Sequence, residues 1–229
     1  MPAPRPLCLA VVGVIAPWVV ACNDGPQPRA GSAAPAAPAA PSTRPTAPAP
    51  APLTTVRDPL GQVVAEVRLD GDGARCGVRV DQVALEVVRD GAATTASPGT
   101  AGAALRLEPG PAGDVITSDG ARSARIYRDP ARPGHVDILD NDGVAMVRIA
   151  IDGDGATLVD ASRAAVARAR KDGGRIVVDD PDGRALAYVS GDDLEVAALL
   201  VASAVPPDLR GLAACDRLLT PAVPPAGTP

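Results

Sequence analysis

Four cysteines and a single histidine are the side chains in this chain best suited to covalent, acid–base or metal chemistry. The first two cysteines, Cys8 and Cys22, belong to an apolar run at residues 7–22 that follows one basic residue and ends in small residues. These features are typical of a secretory signal peptide. A transmembrane helix needs roughly 20 apolar residues, and this run is shorter and contains Pro17. We therefore predict that residues 1–21 are a signal peptide and that Cys8 is removed with it.

The end of this run, Val19-Val20-Ala21-Cys22, resembles the lipobox of bacterial lipoproteins. In that family the cysteine is diacylated on its sulfur, and cleavage just before it makes it the acylated N-terminus. The resemblance implies lipidation at Cys22, a membrane partner reached through the lipid anchor, and a place in the bacterial cell envelope. Asn23 directly follows this cysteine. An aspartate at that position would favour the inner membrane, so the asparagine favours the outer membrane. A cleaved signal without lipidation, a membrane anchor and a buried N-terminal helix are the alternatives.

The other two cysteines, Cys76 and Cys215, would be the thiols of the mature chain. Two cysteines in an exported protein favour one disulfide. They enclose about 140 residues, for which loop-closure entropy gives a stabilisation of at most about 5 kcal/mol. The bond would tie the early strands to the C-terminal helix. The alternative is two separately buried thiols that act as small hydrophobic side chains.

Enzyme chemistry lacks a recognisable set of residues. His135 is the only imidazole, no G-x-S-x-G nucleophile motif accompanies it, and zinc would lack ligands. Paired carboxylates can cleave glycosidic bonds wherever the fold brings them together, so a hydrolase with an unrecognised site remains the third functional interpretation. We predict a protein that is not an enzyme and has no cofactor or metal.

Repeated D-x-D-G units suggest either calcium ligands or turns. A calcium loop of the EF-hand type needs oxygen ligands at positions 1, 3, 5 and 12. From Asp152 the fifth and twelfth residues are Ala156 and Arg163, and a loop that starts at Asp180 fails in the same way. Because Asp-Gly suits the positive φ of tight hairpins, we assign these units to turns. The Asp-Gly pairs on which this assignment rests begin at Asp72, Asp119, Asp142, Asp154, Asp172 and Asp182.

Composition argues against several binding partners. The net charge is −5 and becomes −6 when cleavage removes Arg5, and the basic residues are scattered among the acids. Without a basic stripe, nucleic acid and electrostatic binding to anionic lipid are disfavoured. The chain has no Phe, and its single Trp lies in the signal, which leaves Tyr127 and Tyr188 as aromatic residues. Sugar-binding and base-stacking surfaces usually need more exposed aromatic side chains than these two.

The remaining sequence divides into a linker and one domain. Residues 25–53 contain nine prolines among alanines, which favours an extended spacer. Short runs with period-two alternation then predict an antiparallel meander. Residues 161–171 have helical propensity, but the spacing of the turns predicts a strand at 166–170, with residues 160–163 as a turn. Residues 94–104 look like a loose loop. The predicted strand runs are 62–69, 78–88, 122–128, 136–139, 144–151, 157–159, 175–178 and 185–189.

Two C-terminal helices complete the predicted domain. Asp192 and Asp193 can cap a helix whose apolar residues lie on nearly all sides, so that it should be buried. Pro206-Pro207 ends it and starts a second helix. We predict a mainly β fold of ten to twelve strands, an antiparallel meander forming a barrel or half-barrel with an apolar C-terminal helix. A β-sandwich with a C-terminal helical hairpin is the alternative.

Residues 136–219, with their regular turns followed by a buried type of helix, loosely resemble the tubby-like/LURP-one-related architecture. That group includes membrane-lipid-associated proteins, but no basic phosphoinositide pocket has a counterpart here. The predicted organisation is a signal peptide at 1–21, an acylated cysteine and Pro/Ala-rich linker at 22–53, a single β-rich domain at 54–219 and a disordered tail at 220–229. The first functional interpretation is a membrane-anchored, non-catalytic envelope lipoprotein for structural or protein–protein contact. The alternative is a barrel that binds a small ligand or lipid in its interior.

Overall fold

The computed structural model describes residues 53–71, 73–99 and 103–220. The predicted signal peptide, Cys22, nearly all of the linker, Asp72 and the tail beyond Thr220 lie outside the described residues. The described part is mainly β, as predicted, and ends in two helices.

Fourteen antiparallel strands form a closed barrel in which each strand pairs with its neighbours in sequence. The barrel closes where β1 pairs with β14, with Val56 opposite Val189. The backbone N–H of Thr55 also donates a 2.9 Å hydrogen bond to the Ser190 hydroxyl across this seam. Closure matters because it leaves no unpaired strand edge. The strands are β1 (Thr54–Arg57), β2 (Val63–Leu69), β3 (Arg75–Val80), β4 (Val83–Asp90), β5 (Ala93–Pro98), β6 (Leu105–Glu108), β7 (Asp114–Ser118), β8 (Ala121–Arg128), β9 (His135–Leu139), β10 (Ala145–Asp152), β11 (Gly155–Asp160), β12 (Ala165–Asp172), β13 (Arg175–Asp179) and β14 (Ala185–Ser190).

Alternation along the strands separates an apolar interior from a polar exterior. Residues such as Val67, Ile126 and Ile149 are buried and belong to one core. Their immediate neighbours along each strand are more exposed. Because side chains on a strand alternate between its two faces, this period-two pattern is what a closed sheet with a filled interior requires.

The interior is filled by the two helices, α1 (Leu194–Val201) and α2 (Pro207–Leu219). They pack on each other, α1 against β1 and β10–β12 and α2 against β3–β5. The Asp193 carboxylate caps α1 by accepting a 3.0 Å hydrogen bond from the Val196 N–H, and Pro207 starts α2. The two predicted helices, the cap at Asp193 and the burial of α1 are confirmed, whereas Asp192 is not the cap and α2 has no side-chain cap. The barrel therefore encloses a helical hairpin, with α1 and α2 against different walls.

A disulfide between Cys76 and Cys215 fixes α2 to strand β3, as predicted, with 5.7 Å between the two Cα atoms. Close packing occurs on the same wall at Gly211 of α2. A methyl group at this glycine would lie 3.1 Å from Val78 Cγ1 and 3.2 Å from Leu85 Cδ1. Glycine therefore lets the helix approach the sheet at this point.

Four turns at one end of the barrel share one geometry. In each, an aspartate carboxylate accepts hydrogen bonds of 2.8–3.1 Å from the backbone N–H groups two and four residues later. The residue three positions after each aspartate has a φ of 67° to 83°. The aspartates that begin these turns are Asp58, Asp140, Asp160 and Asp180.

The last three of these turns are 20 residues apart, so the second half of the barrel is an internal repeat of two strands and one such turn. Asp160 begins the turn predicted at 160–163, and β12 confirms the strand predicted in place of a helix. The carboxylates of these aspartates thus bind backbone N–H groups, as in an Asx-turn.

Some strand predictions were wrong. The run 78–88 is two strands, because Asp81 adopts a φ of 55° and turns the chain between β3 and β4. The loop predicted at 94–104 includes most of β5, whose small residues Thr94 and Ala96 are buried by the barrel interior. The turn predicted at Asp154-Gly155 lies slightly earlier in the chain. Gly153 has the positive φ in the turn between β10 and β11, whereas Gly155 is the first residue of β11. The predicted runs also lacked β1, β6 and β7, and the described strands number fourteen rather than the predicted ten to twelve.

Candidate functional site

A charged cleft of about 330 Å³ lies at one end of the barrel. Turns of a meander alternate between its two ends, and the β4–β5, β6–β7 and β8–β9 turns share the end at which β14 leads into α1. We call this the upper end, and the opening there the upper cleft. Three arginines and three carboxylates line it: Arg89, Arg128, Arg217, Asp114, Glu195 and Asp216.

Three of these side chains belong to the strand face that is otherwise apolar. Arg89 lies two residues after the buried Val87 on β4. Arg128 follows the buried Ile126 on β8 by the same spacing, and Asp114 precedes the buried Ile116 on β7. Because residues two apart on a strand share a face, all three belong to the face that forms the barrel interior. The apolar lining of the barrel thus becomes charged at its upper end.

The helices supply the other three groups. Glu195 lies in the first turn of α1, where a negative charge interacts favourably with the helix dipole. Asp216 and Arg217 lie near the C-terminal end of α2. The helical hairpin therefore returns to the end of the barrel at which it entered.

Asp216 is the most buried member of the cleft, with 4% of its side chain exposed. The Thr94 hydroxyl donates a 2.7 Å hydrogen bond to its Oδ1. Arg89 Nη1 lies 3.4 Å from the same oxygen, and Arg128 Nη1 lies 3.6 Å from Oδ2. A buried carboxylate needs such partners to remain charged. Arg89 Nη1 also donates a 2.5 Å hydrogen bond to the hydroxyl of Thr220, just after α2.

Arg128 links the strands to the helices. Its Nε donates a 3.1 Å hydrogen bond to Glu195 Oε1, and its Nη1 donates a 3.2 Å hydrogen bond to Asp114 Oδ2. Its Nη2 is buried and has no hydrogen-bond partner among the described residues. A buried unpaired donor is costly, and native structures contain few of them.

Asp114 is less well neutralised than the other two carboxylates. Burial raises the pKa of Asp114 above its ordinary value of 3.8, and the guanidinium of Arg128 opposes this shift. The negative charge of Asp216 raises the pKa further, and Arg89 lowers it. Among the described residues its side chain accepts a hydrogen bond from Arg128 alone, which leaves acceptor capacity free on this carboxylate.

Chemically, this arrangement can recognise a polar molecule through paired charges. The three positive and three negative groups balance formally, and Ala92, Leu107 and Pro109 add apolar walls. Cys76 and Cys215 do not line the cleft and are joined in the disulfide, and Cys22 lies outside the described residues.

His135 lies in a different place, on an outer groove of about 440 Å³ that Asp137 and Arg148 also line. Its Nδ1 is buried and has no hydrogen-bond partner among the residues that the structure covers. The Oδ2 of Asp137 pairs with Arg148 Nε at 3.5 Å. The structure thus separates the only histidine from the charged cleft.

The upper cleft was missed at the sequence level. Its signal is a charged residue at an inward, apolar position near a strand end, as in Val87–Arg89 and Ile126–Arg128. This signal is visible only once the face of each strand is known.

Within residues 53–71, 73–99 and 103–220, no group of three His, Cys, Asp or Glu side chains is arranged to hold a metal ion. No helix in the described ranges combines the length and apolar character needed to cross a membrane. Comparison of the chain with protein families, curated proteins and solved structures found no match.

Proposed function

We propose that this chain is a membrane-anchored envelope lipoprotein whose barrel is a non-catalytic domain for structural or protein–protein contact. The anchor rests on the sequence Val19-Val20-Ala21-Cys22 and on the apolar run before it. Multiple acyl chains on Cys22 would hold an acidic domain at a membrane without help from charge. The Pro/Ala-rich linker, at about 3.1 Å per residue when extended, would separate the barrel from the membrane surface. We propose the outer membrane as the location because asparagine, not aspartate, follows Cys22.

The filled interior of the barrel supports surface contact over the binding of a ligand inside the barrel. A barrel that binds lipid or another apolar ligand inside needs an open cavity. Here α1 and α2 occupy that space, with Val196, Leu199 and Leu212 fully buried. The disulfide between β3 and α2 opposes displacement of the hairpin. Contacts made by this domain are therefore expected at its outer surface and its two ends.

Replacing Cys22 with Ala in the full chain tests the anchor. In cells fed labelled palmitate, the wild-type chain should carry label and sediment with membranes, whereas the Cys22→Ala chain should remain an unlabelled precursor. Cys8→Ala is the matched control, because Cys8 lies in the predicted signal peptide and should be removed by cleavage. A Cys22→Ala chain that still incorporates label would overturn the lipoprotein assignment.

Protein contact can be tested at a single position. Lys171 is the only lysine and is exposed at the end of β12. An amine-reactive crosslinker applied to intact cells should give an adduct of defined mass that Lys171→Arg abolishes. Absence of any adduct when Lys171 is demonstrably modified would argue against a protein partner at this end of the barrel.

A further inference from the structure

We infer that the upper cleft binds a small zwitterion of the α-amino acid class with an apolar side chain. The inference goes beyond the proposed anchoring function and stands on different residues. Its basis is a pair of neighbouring groups on β7 and β8, the Asp114 carboxylate and the Arg128 guanidinium.

Each of these two groups has unused hydrogen-bonding capacity. Arg128 uses Nε and Nη1 on Glu195 and Asp114, while its buried Nη2 has no partner among the described residues. Asp114 accepts a hydrogen bond from Arg128 alone in the described part of the chain. An acceptor for Nη2 and a donor for Asp114 would complete both groups.

The balance of charge selects a zwitterion over a simple ion. Arg89, Arg128 and Arg217 face Asp114, Glu195 and Asp216 across the cleft, so the lining is formally neutral. A lone anion would add charge beside three carboxylates, and a lone cation would do so beside three arginines. A molecule with a carboxylate for Arg128 and an ammonium for Asp114 adds no net charge and meets both needs.

The volume of the upper cleft and the residues that line it limit which zwitterions could bind. A volume of about 330 Å³ lies at the lower end of the range for small-molecule pockets, which suits a single amino acid rather than a long chain. Leu107, Ala92 and Pro109 form the apolar part of the wall. These residues would contact the side chain of the bound amino acid.

Binding of L-valine to the full-length chain in detergent tests this inference, with calorimetry or ligand-observed NMR as the readout. N-acetyl-L-valine lacks the ammonium and L-valinamide lacks the carboxylate. Each should bind at least about tenfold more weakly, the loss expected for one charge-assisted hydrogen bond. Equal binding of the three molecules, or no binding of L-valine, would overturn the inference.

Asp114→Asn provides the matched variant. It should weaken L-valine at least about tenfold and shift preference toward N-acetyl-L-valine, because it removes the partner of the ammonium and leaves the arginines. Asp137→Asn is its control: Asp137 has 30% of its side chain exposed against 31% for Asp114, and it pairs with an arginine on the outer face of the barrel. If both variants weakened L-valine alike, the site would not be the upper cleft. Should Asp114→Asn fail to fold by circular dichroism, the three-probe comparison on the unmodified chain still decides the inference.

Discussion

Removal of the Cys76–Cys215 disulfide should cost this domain a large part of its stability. The bond joins residues 139 apart in sequence and fixes α2 to the β3 wall. Loop-closure entropy for a closed loop of this size gives about 5 kcal/mol at 25 °C as an upper figure, and most disulfides contribute about 2–4 kcal/mol. In a domain of this size 1 kcal/mol shifts the melting temperature by about 2–4 °C. We therefore expect a loss of about 5–15 °C in the double variant Cys76→Ala/Cys215→Ala.

Denaturation should be followed by far-ultraviolet circular dichroism. The only tryptophan, Trp18, lies in the predicted signal peptide, and the described domain has two tyrosines, so fluorescence would report little. The double variant also loses two buried sulfur atoms, which adds a packing cost. Comparing oxidised and reduced wild-type protein separates the two effects, because the side chains are then the same apart from the bond.

Hydrogen exchange gives an independent local measurement. Without the bond, the amides of α2 should exchange faster than those of α1, since α2 carries Cys215 and packs on β3. If the double variant lost less than about 1 kcal/mol and α2 kept its protection, the bond would not be what holds the hairpin in the barrel.

Three further predictions concern the packing, the turns and the cleft. Gly211→Leu should destabilise the domain by about 1–3 kcal/mol or more by urea denaturation, because the side chain would enter space already filled. Arg163→Gly should stabilise it by about 0.5–1 kcal/mol because Arg163 has a φ of 67°, whereas Gly143→Ala, at φ 83° in the equivalent turn, should destabilise it by about 1 kcal/mol; effects of the same sign would contradict this reasoning. Since burial raises the pKa of Asp114 in the folded state, native protein binds this proton more tightly than unfolded protein, and the stabilisation is lost as the pH rises above 3.8. Asp114→Asn should remove that decline from the stability measured as the pH is raised from 3.8, and an unchanged pH profile would refute it.

The sequence alone determined the features that depend on neighbouring residues. Alternation in stretches such as Val147–Ile151 predicts strands, and the apolar residues of α1 predict a buried helix. The regular spacing of the turns along the sequence predicts one that begins at Asp160. The disulfide could be proposed because only Cys76 and Cys215 remain once Cys8 is removed with the signal and Cys22 is set aside as the lipidated residue. Each of these inferences uses local geometry or a small count, so no knowledge of distant contacts was needed.

Only the tertiary structure decided the features that depend on how the sheet closes. The pairing of β1 with β14 fixes which face of every strand lies inside, and that choice brings Asp114, Arg128 and Asp216 together from distant positions in sequence. It also explains β5, whose Ala and Thr residues have little hydrophobic signal of their own but are buried once the barrel closes around the helices. Charges such as Arg89 look like ordinary surface residues in the sequence. They lie together in the upper cleft because the helical hairpin fills the barrel and ends at the same level as three inward strand positions that carry charged residues.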